Sequence, residues 1–491
     1  MRILMVSAEV ETFARSGGLG DVVYGLARAL ARLGHDVCVV TPLYGTTPMA
    51  RPHRFWLGSV PVRVGWGDDG VRQVGVAEVS DPTGPGSLRF CLVADDYLFG
   101  SRRGIYGDAQ GTFGDNELRF ATLSRAALEI AVRLWPEGFD AIHAHDWHAA
   151  LSIIYAKTTM GHAFARVPAI FTIHNLAYQG LLGFGALDRL GIPRGLFHWQ
   201  CLEHDGNVNL MKGAIALSDL VTTVSPTYAR EIRRKEHGFY LDWFLRMHER
   251  KLVGVANGID EERFDPRTDP RLAQRYGPDD LRAGKAANKR ALCNEFGLVY
   301  EDAPLFASVS RLTDQKGIDI LIDAIPALVD RGANVVMVGT GDRRLEEALH
   351  YAGKRFPGHV GARVAFDAAL AGRINAACDF FVVPSRFEPC GLTQLYAMRY
   401  GAVPVVTDVG GLHDTVEPAN LARATGTGFV ATAPTVVDLL VACEDALTAY
   451  LARNALHDLR LRGMARDSSW TTAAKHYVEA IYERARESTN G

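Results

Sequence analysis

Unbroken apolar runs rich in Val and Ile recur at residues 2–8, 37–41, 88–93, 141–145, 169–173 and 221–224, and helical patterns separate several of them. Runs without polar alternation read as strands buried on both faces, and helices between them call for parallel strands joined by crossovers. The first such helix is clear: Leu19, Val22, Val23, Leu26, Leu30 and Leu33 fall on one face, Gly34 closes it, and strand residues resume at Val37. A second series runs through 305–309, 335–338, 364–366, 380–383, 403–406 and 428–430. The chain is therefore predicted to be α/β, with two separate doubly wound sheets.

Length agrees with this division, since 491 residues exceed the roughly 250 to 300 that one hydrophobic core organises. The seam is expected near residues 257–270, where Asp265-Pro266-Arg267-Thr268-Asp269-Pro270 and the polar stretch 276–289 have linker-like composition. A last helix carries Trp470, Tyr477, Val478 and Ile481 on one face and is expected to return to the first half. The resulting boundaries are 1–256, 257–468 and 469–491.

Composition narrows the partners. A net charge of −3 with 22% charged residues gives no bulk attraction to nucleic acid or anionic lipid, so neither is an expected partner. The seven cysteines are scattered without a C-x-x-C pair, which argues against a disulfide framework or zinc ribbon and for a reducing, cytoplasmic setting. Residues 1–8 are apolar, but Glu9 and Glu11 interrupt them before a signal-peptide core or membrane span forms.

Candidate chemistry sits where predicted strands end. Pro384-Ser385-Arg386-Phe387-Glu388-Pro389-Cys390-Gly391-Leu392-Thr393-Gln394 follows an apolar strand and enters a helix suggested by Leu392, Leu395 and Tyr396. Free amides and the helix dipole at that mouth favour an anion, with Glu388 beside it; read alone, the segment is equally an ordinary corner with a capping Glu. Ser310-Arg311-Leu312-Thr313-Asp314-Gln315-Lys316-Gly317 places two cations five residues apart in a loop after another strand. They suit a diphosphate leaving group, or are solvated helix-start charges.

In the first half, Arg15-Ser16-Gly17-Gly18-Leu19-Gly20-Asp21 brings paired glycines to a helix start, yet matches neither the dinucleotide nor the P-loop fingerprint, so a plain tight turn stands beside the phosphate reading. Arg15 has the fork for bidentate phosphate contact. His143-Ala144-His145-Asp146-Trp147-His148 has the residue types of a metal cluster but not the H-x-H-x-D-H spacing, since Trp occupies position 147. Asp146 is read instead as a partner for sugar hydroxyls or a support for the site wall. His174 ends the strand at 169–173, either as a catalytic group or as a satisfied structural imidazole. No Gly-x-Ser-x-Gly elbow occurs, and the sequence sets no base beside Cys390.

Taken in order, residues 16–22, 143–148, Ile173-His174-Asn175-Leu176-Ala177-Tyr178-Gln179-Gly180, Thr223-Val224-Ser225-Pro226-Thr227-Tyr228-Ala229, Asn257-Gly258-Ile259-Asp260, 310–317 and 384–394 resemble the bacterial glycogen synthase and starch synthase family across nearly the whole chain. The resemblance implies a GT-B fold, two Rossmann-like domains with an interdomain cleft. It also implies retaining transfer of glucose from ADP-glucose to the nonreducing end of an α-1,4-glucan, with no metal or bound cofactor. By position it implies that Arg311 and Lys316 neutralise the departing diphosphate and that the amides of Gly391, Leu392 and Thr393 bind phosphate. Glu388 would face the donor sugar and His174 the anomeric carbon. Asp21, Asn257 and Asp146 would be polar positions of the cleft, Arg15, Gly17 and Gly18 would help to bind ADP-glucose, and Phe366 would pack on the nucleobase.

Two departures stand out. Arg15 occupies the family's usual lysine position, and Gly100-Ser101-Arg102 replaces a usual aromatic-Asp-Arg pattern. The alternatives are a related transferase using UDP-glucose or another acceptor, a noncatalytic glucan-binding homologue, and an NAD-dependent oxidoreductase, which would need a glycine fingerprint absent here.

Overall fold

Strands form where apolar runs are buried from both sides, as the two sheets illustrate. The computed structural model describes residues 1–47, 54–65, 71–299, 303–365 and 367–490. The chain divides into one unit of Met1–Gly258 with Trp470–Gly491 and a second of Ile259–Ser469.

The first unit has a nine-stranded sheet. Its strands are β1 (Arg2–Val6), β2 (Asp36–Pro42), β3 (Arg54–Arg63), β4 (Val71–Asp81), β5 (Leu88–Ala94), β6 (Ala141–His145), β7 (Ala169–Ile173), β8 (Leu220–Thr223) and β9 (Leu252–Gly254), in the spatial order β9-β8-β7-β6-β1-β2-β5-β4-β3. Ile3 stands opposite Val37 of β2 on one side and Ala141 of β6 on the other. Within β1, Leu4 and Val6 enter one core and Ile3 and Met5 the other, so both sheet faces are covered by helices. The antiparallel hairpin β3–β4 at the edge has no counterpart in the sequence-based expectation. A small sheet formed by Leu181–Leu182, Asn207–Asn209 and Glu203–His204 is a second unexpected element.

The second unit has six parallel strands: β10 (Leu305–Val309), β11 (Asn334–Gly339), β12 (Val360–Val364), β13 (Phe380–Val383), β14 (Val403–Thr407) and β15 (Phe429–Ala431). Their order, β12-β11-β10-β13-β14-β15, is the doubly wound Rossmann order. The strand expected at 364–366 is observed earlier, at Val360–Val364; it is an edge strand whose end is exposed, so its apolar signal is short. Phe366 lies outside the described residues.

The linker reading of residues 265–270 and 276–289 is overturned. Asp269 receives both Arg271 (2.6 Å to each of two nitrogens) and the Tyr400 hydroxyl (2.6 Å), and the Tyr276 hydroxyl donates to the Tyr400 carbonyl at 2.7 Å. The charges that suggested a solvated tether are paired and packed, and Leu281–Phe296 is a helix. The two ends of this unit lie side by side, with the Ile259 amide donating to the Ser468 carbonyl at 2.7 Å.

The C-terminal segment belongs to the first unit. Trp470 packs on helix α1 (Gly18–Arg32) at Gly25, where a Cβ would lie 2.0 Å from the indole nitrogen. Further along, the Tyr482 hydroxyl lies 2.8 Å from Nδ1 of His143, inside the core. No helix among the described residues is long and apolar enough to cross a membrane.

Candidate active site

In each unit the strand order reverses at one place, between β10 and β13 in the second unit and between β1 and β6 in the first. Open parallel sheets bind ligands beyond the carboxyl ends of such strands. The loops that leave these four strands carry most of the candidate residues.

In the second unit, loops 310–317 and 384–394 are stitched together. The Arg386 amide donates to the Gln315 carbonyl at 2.9 Å, and the Arg386 guanidinium clamps Asp319 at 2.8 and 2.7 Å. Gly317, with φ +61°, allows the approach, since a Cβ there would lie 1.9 Å from the Pro384 carbonyl oxygen. The result is a pair formed 72 residues apart in sequence: Lys316 Nζ lies 2.5 Å from Glu388 Oε2, which also accepts from Ser385 Oγ at 3.0 Å. Glu388 is buried, whereas Arg311 is exposed and pairs with no carboxylate among the described residues. Gly391 turns the chain at φ +69° into a helix, Thr393–Arg399, whose start has no side-chain cap. The amides of Gly391, Leu392 and Thr393 therefore gather at a helix mouth, where first-turn N–H groups have no intrahelical acceptor.

In the first unit, the loop after β1 is held by a residue whose role the sequence does not reveal. Glu9, 3% exposed, accepts from the Ser16 amide (2.6 Å), the Gly17 amide (3.1 Å), Ser16 Oγ (2.8 Å) and the Tyr106 hydroxyl (2.5 Å). It fixes the glycine loop ahead of Gly18, the first residue of α1. Arg15 does not stand free for phosphate: its guanidinium lies 2.9 Å from Asp21 and 3.4 Å from Glu11. Asn257 lies just beyond β9, buried, with no partner for Oδ1 among the described residues.

Asp146 opens helix α3 (Asp146–Lys157), which packs on α2 (Asn116–Leu134), with φ +58°, a left-handed conformation that is strained for a residue with a side chain. Its Oδ1 accepts from the His174 amide at 2.8 Å and the Asn175 amide at 3.4 Å, so it supports the loop that carries His174. Burial pushes its carboxyl up to about 7, and those amide bonds work against the rise. His174 Nε2 lies 3.0 Å from His145 Nδ1. Burial depresses both imidazoles, His174 to about 3, so the two meet as neutral rings. His145 Nε2 is buried without a partner among the described residues. An orphaned acceptor costs less there than an orphaned N–H, so His145 Nδ1 donates and His174 carries its proton on Nδ1.

The other histidines of the motif are structural. His143 lies between the Tyr482 and Thr172 hydroxyls at 2.8 and 2.6 Å, and His148 stacks on Tyr106 with ring centroids 4.6 Å apart. Among the described residues no group of three or more His, Cys, Asp or Glu side chains converges as metal ligands would. A cavity of about 530 Å³ in the same unit is lined by Trp147, Tyr178, Leu181 and Tyr240. Trp147 rests on Gly180, and Tyr178 and Tyr240 are 56% and 81% exposed, so the cavity offers aromatic faces to a ligand.

Two Rossmann-type units with polar loops at their switch points have the architecture of the GT-B glycosyltransferases. The family pattern described as starch synthase catalytic domain matches residues 2–247, and that of group 1 glycosyl transferases matches residues 303–449. A glycogen synthase of Anaeromyxobacter dehalogenans is 46% identical over 98% of this chain and 99% of its own length. One from Myxococcus xanthus is 42% identical over 98% and 99%. The catalytic domain of starch synthase IV from Arabidopsis thaliana, solved bound to ADP and acarbose, superposes with a TM-score of 0.88 at 31% identity, covering 99% of both chains. The chain belongs to the glycogen and starch synthase family, and is a glycosyltransferase acting with a nucleotide-sugar donor and a glucan acceptor.

Proposed function

We propose that the chain transfers glucose from ADP-glucose to the nonreducing end of an α-1,4-glucan with retention of configuration. The observation that carries this reading is the Lys316–Glu388 pair, held beside exposed Arg311 and an uncapped helix mouth by the close approach at Gly317. Retaining transfer on one face of the sugar needs a stabilised leaving group more than a protein nucleophile. Arg311 and Lys316 neutralise the diphosphate as the anomeric C–O bond breaks, and the amides of Gly391, Leu392 and Thr393 hold its phosphate. The acceptor hydroxyl bonds to the anomeric carbon from the face the diphosphate leaves, and its proton passes to the departing phosphate oxygen.

Glu388 orients the donor sugar, His174 presents its backbone carbonyl and Nδ1–H to the reacting sugar, and Asp146 holds the His174 loop in place. Gly17, Gly18, Asp21 and Asn257 line the donor's path. The exposed rings of Tyr178 and Tyr240 with Trp147 favour a glucan, whose sugar faces stack on aromatic surfaces. Arg15 acts on the donor through Asp21: phosphate must compete with that carboxylate for the guanidinium. The ADP bound to the plant relative favours adenine as the base, and seven buried, unbridged cysteines support a cytoplasmic setting.

The test is glucose incorporation into a glycogen primer by the purified chain, with ADP-glucose and UDP-glucose offered separately. Chain growth with ADP-glucose is expected. Growth with UDP-glucose alone would replace the donor, and growth with neither would make the chain a glucan-binding homologue.

A further inference from the structure

The opposite end of the second unit's sheet carries a cationic cavity that the proposed transfer does not use. Asp379 immediately precedes β13, so it lies at the amino end of the strand whose carboxyl end leads to Glu388. Beside it a cavity of about 260 Å³ is formed by helix α4 (Leu281–Phe296) and helices α5 (Val436–Leu451) and α6 (Arg453–Ala465). Lys285, Lys289 and Arg460 form its floor, and exposed Arg282, Arg290 and Arg453 its rim.

Among the described residues Asp379 is the one carboxylate lining the cavity, and its oxygens are already engaged. Oδ2 accepts from Lys289 Nζ at 2.7 Å and the Leu305 amide at 2.9 Å, and Oδ1 accepts from Arg460. Among the described residues Lys285 reaches only backbone carbonyls, those of Asn375 at 3.1 Å and Tyr400 at 3.4 Å. Arg460 Nε is buried without a partner among the described residues. Leaving aside Arg290, which has a partner of its own, five cationic side chains thus face one carboxylate among the described residues, in a concave, partly desolvated site. Like charges gathered this way repel, and the repulsion is relieved when an anion enters. Burial pushes Lys285 down to about 7, the direction expected of an ammonium held there without a counter-ion.

We propose that this cavity is a second anion site, separate from the donor site, that binds the phosphoryl group of a small phosphate ester. Guanidinium forks and ammonium groups together match the tetrahedral oxygens of a phosphate. The volume admits a phosphoryl group with a few attached carbons, not a polymer, and the concave shape differs from the extended basic stripe that tracks nucleic acid.

Calorimetric titration of the full chain with inorganic phosphate and with glycerol 3-phosphate tests the site, at matched ionic strength and with saturating ADP present. One binding event is expected, stronger for the ester, and weakened at least tenfold in an Arg282→Ala/Arg453→Ala double variant. Both arginines are on the exposed rim, so that variant keeps its melting temperature and its glucosyl transfer without phosphate. Absence of binding to the wild-type chain, or binding undiminished in the variant, overturns the proposal. Tungstate diffused into wild-type crystals gives a second reading: its anomalous peak is expected among Arg282, Arg453 and Arg460, and a peak only elsewhere rejects the site.

Discussion

Lys316 and Glu388 touch, so neither is removed without exposing the other to a changed environment. Losing Lys316 leaves a buried carboxylate with Ser385 as its remaining side-chain donor, and losing Glu388 frees an ammonium that donor phosphate then holds alone. Lys316→Ala or Glu388→Ala is expected to lower kcat/KM by the equivalent of about 2 to 4 kcal/mol, the scale of one electrostatic group lost from a preorganised site. Because the two share one contact, the double variant should lose clearly less than the sum; additive losses in steady-state kinetics would contradict the coupling. Arg15→Lys is expected to shift kcat/KM less than about tenfold, since Asp21 already occupies the fork; a larger loss would assign the guanidinium direct work on phosphate. These groups were legible because motif and strand end coincide. Glu9 was not: its partner Tyr106 is 97 residues away, and an acidic residue closing an apolar run announces only that the run has stopped.

Gly317 and Gly25 show how small residues set the approach of whole elements. Gly317→Ala would add a Cβ to a left-handed residue with the Pro384 carbonyl 1.9 Å away, so loops 310–317 and 384–394 must part. Activity is expected to fall at least about a hundredfold, comparable to losing Lys316 itself, while far-UV circular dichroism stays close to wild type. Near-normal activity would show that the loops tolerate separation. At Gly25, a Leu side chain would occupy the place of the Trp470 indole and displace the C-terminal helix from α1. The parallel strands were readable because burial on both faces leaves an unbroken apolar signature. The β3–β4 hairpin alternates buried and exposed positions at a sheet edge, which weakens that signature. Helix α4 was hidden differently: Lys285, Asn288 and Lys289 are buried through hydrogen bonds, so polarity there recorded pairing where it suggested solvent.

The two units differ in how they meet acid. In the first, burial depresses His143 and His148 to about 3, His174 to about 3 and His248 to about 4, and holds His145 well below its ordinary value. For such a base the unfolded chain binds the proton first as pH falls through 6.5. The stability is present above pH 6.5 and is lost progressively toward the folded value. By pH 5 the loss is roughly 2 kcal/mol for each of His143 and His148. Asp146 acts oppositely: raised to about 7 by burial, it takes up a proton in the folded state before the unfolded chain does, and so offsets about one histidine. In the second unit the shifted carboxyls of Asp265, Asp269, Asp319 and Asp379 are lowered, so their contribution survives until the pH nears 4. Acid should therefore melt the first unit ahead of the second. All seven tryptophans, including Trp135, Trp147, Trp199, Trp243 and Trp470, belong to the first unit, so indole fluorescence reads that unit alone. Between pH 7.5 and 5.0 the fluorescence midpoint is expected to drop by roughly 10 °C, leaving a later transition visible only by far-UV circular dichroism. Coincident midpoints at pH 5.0 would mean that the buried imidazoles are compensated elsewhere or that the two units unfold as one.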